Sequence, residues 1–238
     1  MLSAFIISPL TFFANSIASF DFPDAVGPAI SMIFLDIFKI KSLLKRFRDI
    51  LFFLGLIIKG DVSNKIQFQS YPFIVNKGRI KIGKNVYLGK NVSFKVMPGG
   101  TLEIEDGVII SNDCSFTVRT NGKVRLGSCT RINSGGIVSG NVDIKDNVIV
   151  APNVVMISDS HRLAVEGVSI DEADKSLGLK LGTITIQEHA FIGVGVIILH
   201  TVNIGCESVI GANTIVIRDV KKGEIIAGAK AQTIAPKN

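Results

Sequence analysis

The chain has 238 residues, 47% of them hydrophobic, enough for one large domain, alone or with an extension, and for a sizeable core. Lys and Arg outnumber Asp and Glu by 26 to 20, a balance that suits a nucleic acid, a membrane surface or phosphate-bearing ligands; no basic run with interleaved aromatics accompanies it, which argues against nucleic acid. Cys114, Cys129 and Cys206 are odd in number and lack metal-site spacing, pointing to a reducing compartment and to buried small hydrophobes.

Phenylalanine is dense before Pro72, and glycine punctuates the chain beyond it. Residues 1–71 are therefore expected to form an apolar, mostly helical extension, and residues 72–238 the main domain. The first residues are apolar but carry no basic start and no convincing cleavage site, so no signal peptide is expected and the cytoplasm is the default location. Residues 29–60 read AISMIFLDIFKIKSLLKRFRDILFFLGLIIKG. Asp36, Lys39, Lys41, Lys45, Arg46, Arg48 and Asp49 break their apolar residues into runs far short of the roughly eighteen that a spanning helix needs. One or two amphipathic helices are expected, with Lys41, Lys45 and Arg48 as a polar stripe. Such helices either pack against the main domain or lie on the inner face of a membrane, where a basic amphipathic surface favours anionic lipid. Phe12, Phe13, Phe20 and Phe22 suit both readings.

From Ile82 onward apolar residues recur every six positions, a period that belongs neither to a helix nor to an ordinary strand. The series runs Ile82, Leu88, Phe94; Ile104, Ile110, Phe116; Leu126, Ile132, Val138; Ile144, Val150, Met156; Ile186, Ile192, Ile198; Ile204, Ile210, Val216. Three short strands per turn, each followed by a bend, place every such residue inside a triangular prism. Glycine or asparagine stands near the bends, as in IGKNV, IEDGV, IKDNV and IGANT, where it takes conformations that other residues resist. Stacked turns share backbone hydrogen bonds and one continuous core. The expected main domain is thus an all-β parallel β-helix of about six coils. Two steps of ten, spanned by KVMPGGTLE and TVRTNGKVR, and one of thirty interrupt the count, each after the third apolar residue of a coil. All three insertions are expected to leave one corner of the prism, and the longest, residues 157–183, carries His161 outward. A long loop on a rigid scaffold is a common seat of binding and catalysis.

The repeat, APNV before that loop, SDSH within it and HAFIGVGVIILHTVNIGCESVIGANTIVIRDVKKGEIIAGAKAQTI after it resemble the hexapeptide-repeat acyltransferases from about residue 80 to the end. Within that family the likeness is to the maltose, galactoside and polysaccharide O-acetyltransferases. The resemblance implies a left-handed β-helix, a homotrimer, acetyl-coenzyme A as donor, and active sites in clefts between subunits. It places the group's loop histidine on His161 and its asparagine in the preceding coil on Asn133 of RINSGG. Phe191 stands where the family usually carries the tryptophan of WIG, which keeps an apolar wall. The coenzyme is expected along the later coils, against Phe191, Gly193, Gly195, Gly211, Ala212, Arg218, Lys221 and Lys222.

Acyl transfer to a sugar hydroxyl needs a base as the oxygen attacks the thioester, and a histidine of ordinary pKa near 6.5 supplies one. His161 fits that role by direct transfer, since Ser158 and Ser160 belong to no triad. Asn133, or backbone N–H groups near Gly193 and Gly195, are candidate oxyanion donors. Asp159, Ser160 and Arg162 are candidates for the acceptor site, with Asp159 also a candidate orienter of the imidazole. Glu166, Asp171, Glu172, Asp174 and Lys175 of the same loop would help select the acceptor. The apolar extension favours a surface glycan or its lipid-linked precursor, such as capsule, O-antigen or a sialic-acid-containing polymer. A small sugar or an antibiotic, and a noncatalytic trimeric binding protein, are the alternatives. A zinc-bearing prism of the γ-carbonic-anhydrase kind would need three converging histidines. His161, His189 and His200 are spaced by 28 and 11, which does not match that family's close pair and distant partner, and no metal is expected.

Overall fold

A computed structural model describes residues 63, 65–161 and 168–228. The helices expected in residues 29–60 lie outside the described residues, as does Arg162. Among the described residues, short strands stack into three parallel sheets of eight, seven and six strands. They form a left-handed parallel β-helix of about seven turns. The strands Arg79–Ile82, Tyr87–Leu88 and Ser93–Val96 make one coil, contributing to the six-, eight- and seven-stranded faces in that order. The next coil begins at Thr101–Ile104, which pairs with Arg79–Ile82 in register.

This register aligns the six-residue series into three buried columns. Ile82, Ile104, Leu126, Ile144, Ile186 and Ile204 form one. Phe94 and Phe116 are both fully buried in a second, their rings 5.6 Å apart and tilted by 47°. The repeat starts earlier than Ile82: Phe68 and Ile74 precede it in the columns of Leu88 and Phe94, and the first strand is Gln67–Phe68. The step from Ile74 to Ile82 is eight, so this opening coil falls outside a count by sixes.

The insertions do share one corner, between the seven- and six-stranded faces, but the short ones do not protrude as loops. Their extra residues lengthen the strands on either side. Val96 and Leu102 flank the first, Val118 and Val124 the second, and all four are fully buried. The turns close over Met97–Gly100 and Arg119–Gly122, where Gly100 and Gly122 N–H donate to the Met97 and Arg119 carbonyls at 2.9 Å. Only the thirty-residue step leaves the prism.

At the corners the chain bends through left-handed residues. Asn, Asp and Gly fill most of these places, as their small or hydrogen-bonding side chains allow. His189, at φ 62°, and His200, at φ 65°, also occupy such places. Their backbone N–H groups donate to Asp146 and Ile157 carbonyls of the coil below. Those two histidines turn the chain at separate corners, and no cluster of metal-ligating side chains occurs among the described residues.

The faces differ outward. The six-stranded face is charged: Lys123 pairs with Glu103, Arg125 with Glu105 and Lys145 with Asp143, each at 2.7 Å. The upper coils of the other two faces turn apolar side chains out. Ile149, Phe191, Val209 and Ile225 align on the eight-stranded face, and Ile137, Val155, Ile197 and Ile215 on the seven-stranded one.

Candidate functional site

The long loop leaves the strand Val155–Ile157 and is pinned from its first residue. Ser158 Oγ accepts the Asn141 N–H at 2.7 Å. Asp159 is buried and takes the Arg119 guanidinium on Oδ2. Ser160 then pairs antiparallel with Lys180, the two exchanging N–H to carbonyl hydrogen bonds of 3.0 and 2.9 Å. These contacts close the feet of the loop, and His161 is the next residue outward.

The far part of the loop holds a helix, α1 (Ile170–Leu177), the only one among the described residues. Its start is a capping box: Ser169 Oγ accepts the Glu172 N–H, and the Glu172 carboxylate accepts the Ser169 N–H at 3.0 Å. The Ser169 N–H first, and second the Ser169 hydroxyl, which also donates to that carboxylate at 2.8 Å, hold the Glu172 carboxyl below its ordinary range. Lys175 pairs with Asp171 one turn earlier at 2.5 Å. Gly178 ends the helix, its N–H donating to the Asp174 carbonyl.

Asp174 of α1 faces His161, with Oδ2 2.5 Å from the imidazole Nδ1. The carboxylate is mostly covered while the imidazole is three-quarters exposed. A carboxylate only accepts hydrogen bonds, so Nδ1 carries the hydrogen and the lone pair of the neutral ring lies on Nε2. The arrangement is an exposed imidazole oriented from behind, chemically able to serve as a base and to bear a transient positive charge. Sequence alone makes Asp159 a candidate for the orienting role. The structure instead commits Asp159 to Arg119 and to Ser139 Oγ, at 3.4 Å, inside the corner. The sequence signals the helix that carries Asp174, since Ser169 and Glu172 have the spacing of a capping box, but not the return of that helix to His161.

Asn133 lies just after the strand Arg131–Ile132, at the corner between the eight- and seven-stranded faces. Its Nδ2 donates to the Val150 carbonyl at 2.9 Å, leaving one amide hydrogen for another acceptor. His161 extends beyond the opposite edge of the seven-stranded face, so one chain does not bring the two together. Phe191 is exposed on the eight-stranded face. Gly193 is buried where a Cβ would crowd the Ala212 N–H, and Gly195 bends at φ 67°. Ala212, Arg218, Lys221 and Lys222 are exposed on the last coils, and Lys222 stands 3.7 Å from Glu207.

Three curated relatives match this chain in sequence. A Schizosaccharomyces pombe protein assigned by name as an acetyltransferase is 34% identical over 108 residues, 45% of this chain and 46% of that one. A Saccharomyces cerevisiae protein so assigned is 38% identical over 94 residues, 39% of this chain and 44% of that one. The galactoside O-acetyltransferase of Escherichia coli K12 is 36% identical over 93 residues, 39% of this chain and 43% of that one. Over those stretches the chain is similar to proteins named as acetyltransferases, one of them a galactoside O-acetyltransferase. The chain spans less than half the length of each of these relatives. No protein-family model matches it.

Proposed function

We propose that this chain is a hexapeptide-repeat acyltransferase that transfers an acetyl group from acetyl-coenzyme A to a sugar hydroxyl, with His161 as general base. The observation that carries the reading is the exposed His161 imidazole, backed by Asp174 and mounted on a loop whose feet are pinned to the β-helix. The donor supplies the acyl thioester. His161 Nε2 takes the hydroxyl proton as the oxygen bonds to the acyl carbon. The resulting imidazolium returns that proton to sulfur as the carbon–sulfur bond breaks. Asp174 stabilises the ring in its charged state between those two transfers.

A homotrimer completes the site. Asn133 and His161 lie at opposite edges of one face, so a neighbouring copy would supply the missing partner, with Asn133 as an oxyanion donor. The outward apolar rows of Ile149, Phe191 and Ile225, and of Ile137 and Ile215, are exposed in the single chain and suit burial between copies. Arg218, Lys221 and Lys222 provide positive charge for the phosphates of the coenzyme, beside Phe191, Gly193, Gly195, Gly211 and Ala212. Ser160 and Arg162, the neighbours of His161 in sequence, are assigned to binding the acceptor. The acceptor is a surface polysaccharide or its precursor, met in the cytoplasm at the inner face of the membrane. Among the described residues no helix is long and apolar enough to cross a membrane.

The test is acetyl-coenzyme A turnover, read as free-thiol release, against capsule, lipopolysaccharide and simple galactoside acceptors, with wild type beside His161→Ala. Acceptor-dependent release that disappears in the variant supports the assignment and names the acceptor class. A folded protein that neither binds coenzyme A in calorimetry nor releases thiol with any sugar would be a binding protein instead.

A further inference from the structure

The corner that bears the long loop also holds a charged contact that the reaction does not use. Arg119 lies in the short turn that follows the strand Ser115–Val118, two coils below the loop. Its side chain crosses the intervening coil, and Nε and Nη2 both donate to Asp159 Oδ2 at 2.7 Å. The Asp159 side chain is only 3% exposed, so its charge depends on this cation and on the Ser139 hydroxyl. The coil between them is shaped for the contact. It places Gly140 at the crossing, with φ 98°, where a Cβ would overlap Ser158 Oγ and crowd Asp159 Oδ1.

We propose that Arg119 is a positioning residue for His161, acting through Asp159; this rests on His161 being the base. Asp159 is flanked by the two anchors of the loop: Ser158, which accepts from Asn141, and Ser160, which is zipped to Lys180. His161 follows Ser160 directly, and the Lys180 foot runs back through Gly178 to α1 and Asp174. The direction of the Asp159 carboxylate therefore sets the origin of both halves of the imidazole–carboxylate pair. A guanidinium fixes that direction because its planar donors hold the oxygen at two points, whereas a lysine ammonium supplies only a point charge. The short insertion that carries Arg119 thus serves the long one two coils above it.

The experiment reads the imidazole without donor or acceptor. Full-length wild type, Arg119→Met, Arg119→Lys, Asp159→Asn and Asp174→Asn are melted to confirm folding, then treated with diethyl pyrocarbonate. Carbethoxylation is followed by mass spectrometry at each histidine, with His189 and His200 as internal references. In Arg119→Met the rate at His161 is expected to change about threefold or more, in the direction seen for Asp174→Asn. The reference histidines stay at wild-type rates, and Arg119→Lys falls between. Turnover with a galactoside acceptor is expected to drop about tenfold in kcat with acetyl-coenzyme A KM within about twofold, the split expected when an aligned base is disturbed and donor binding is not. Should Arg119→Met fail to fold, Asp159→Asn and Arg119→Lys carry the same expectation. His161 labelling at the wild-type rate in the folded Arg119 and Asp159 variants overturns the proposal. Full turnover in His161→Ala would instead defeat the base assignment, a separate failure that the labelling does not share.

Discussion

Replacing Asp174 by asparagine keeps the size of the side chain and removes its charge, which isolates what the carboxylate does for the imidazole. In the native loop Asp174 Oδ2 lies 2.5 Å from Nδ1 of His161. In the proposed transfer Nε2 takes the proton of the attacking hydroxyl; that contact then joins a cation to an anion, and hydrogen bonds to charged groups contribute about 1.5–3 kcal/mol. The imidazole is 75% exposed, so water shares its charge and the loss belongs at the lower end. About 1.5 kcal/mol corresponds to roughly a tenfold fall in rate. The charge forms only during the reaction, so kcat should fall while KM for either substrate stays near its native value. Steady-state thiol release at saturating acetyl-coenzyme A, with the acceptor varied, measures both constants. A kcat within about twofold of wild type, or a loss confined to KM, would refute the role of Asp174 as the partner of a charged imidazole.

The same geometry has other consequences. Phe116→Ala removes a fully buried ring from the stack with Phe94, and should cost about 3–5 kcal/mol in urea unfolding, because the parallel rungs above and below hold the cavity open. Glu172 has its carboxyl held low by Ser169, so its contribution to α1 is complete above the ordinary carboxylate value of about 4.3 and is lost as pH falls through the lower folded value. Amide-exchange protection in α1 should accordingly fall in strong acid before protection in the coils does. Burial pushes the Cys114 thiol up, whereas Cys129 is exposed at a corner. A thiol reagent at neutral pH should therefore label Cys129 in the native protein and Cys114 only after unfolding, as peptide mapping would show.

The prism is legible in the sequence because one inward residue per strand repeats at a fixed step, and hydrogen-bonded register then stacks those residues whatever lies between them. Ile132, Ile192 and Ile210 are predictable for that reason, and all are fully buried. Phe68 and Ile74 escape the pattern because the step from Ile74 to Ile82 breaks the count. The two short insertions read as protrusions because a count by sixes cannot see a second inward residue, such as Val96 or Leu102, on a lengthened strand. His161 is legible from its motif, yet its orienting partner is not. Asp159 is nearer in sequence, but its carboxylate turns into the corner and its charge is held by Arg119. Asp174, thirteen residues on, returns to the imidazole only because α1 folds back over the loop. A contact made by a helix folded back on its own loop leaves no periodic trace.

The pairing of Ser160 with Lys180 has a consequence for how such a molecule can change. Once those two residues are joined, the chain between them is a closed excursion whose length hardly enters the stability of the coils. Doubling a flexible loop adds only about 0.6 kcal/mol of closure entropy. Substitutions, insertions and deletions between the two feet can therefore remodel whatever surrounds His161 while every rung stays in register. Recognition can diversify on one stretch of chain without renegotiating the fold that carries it.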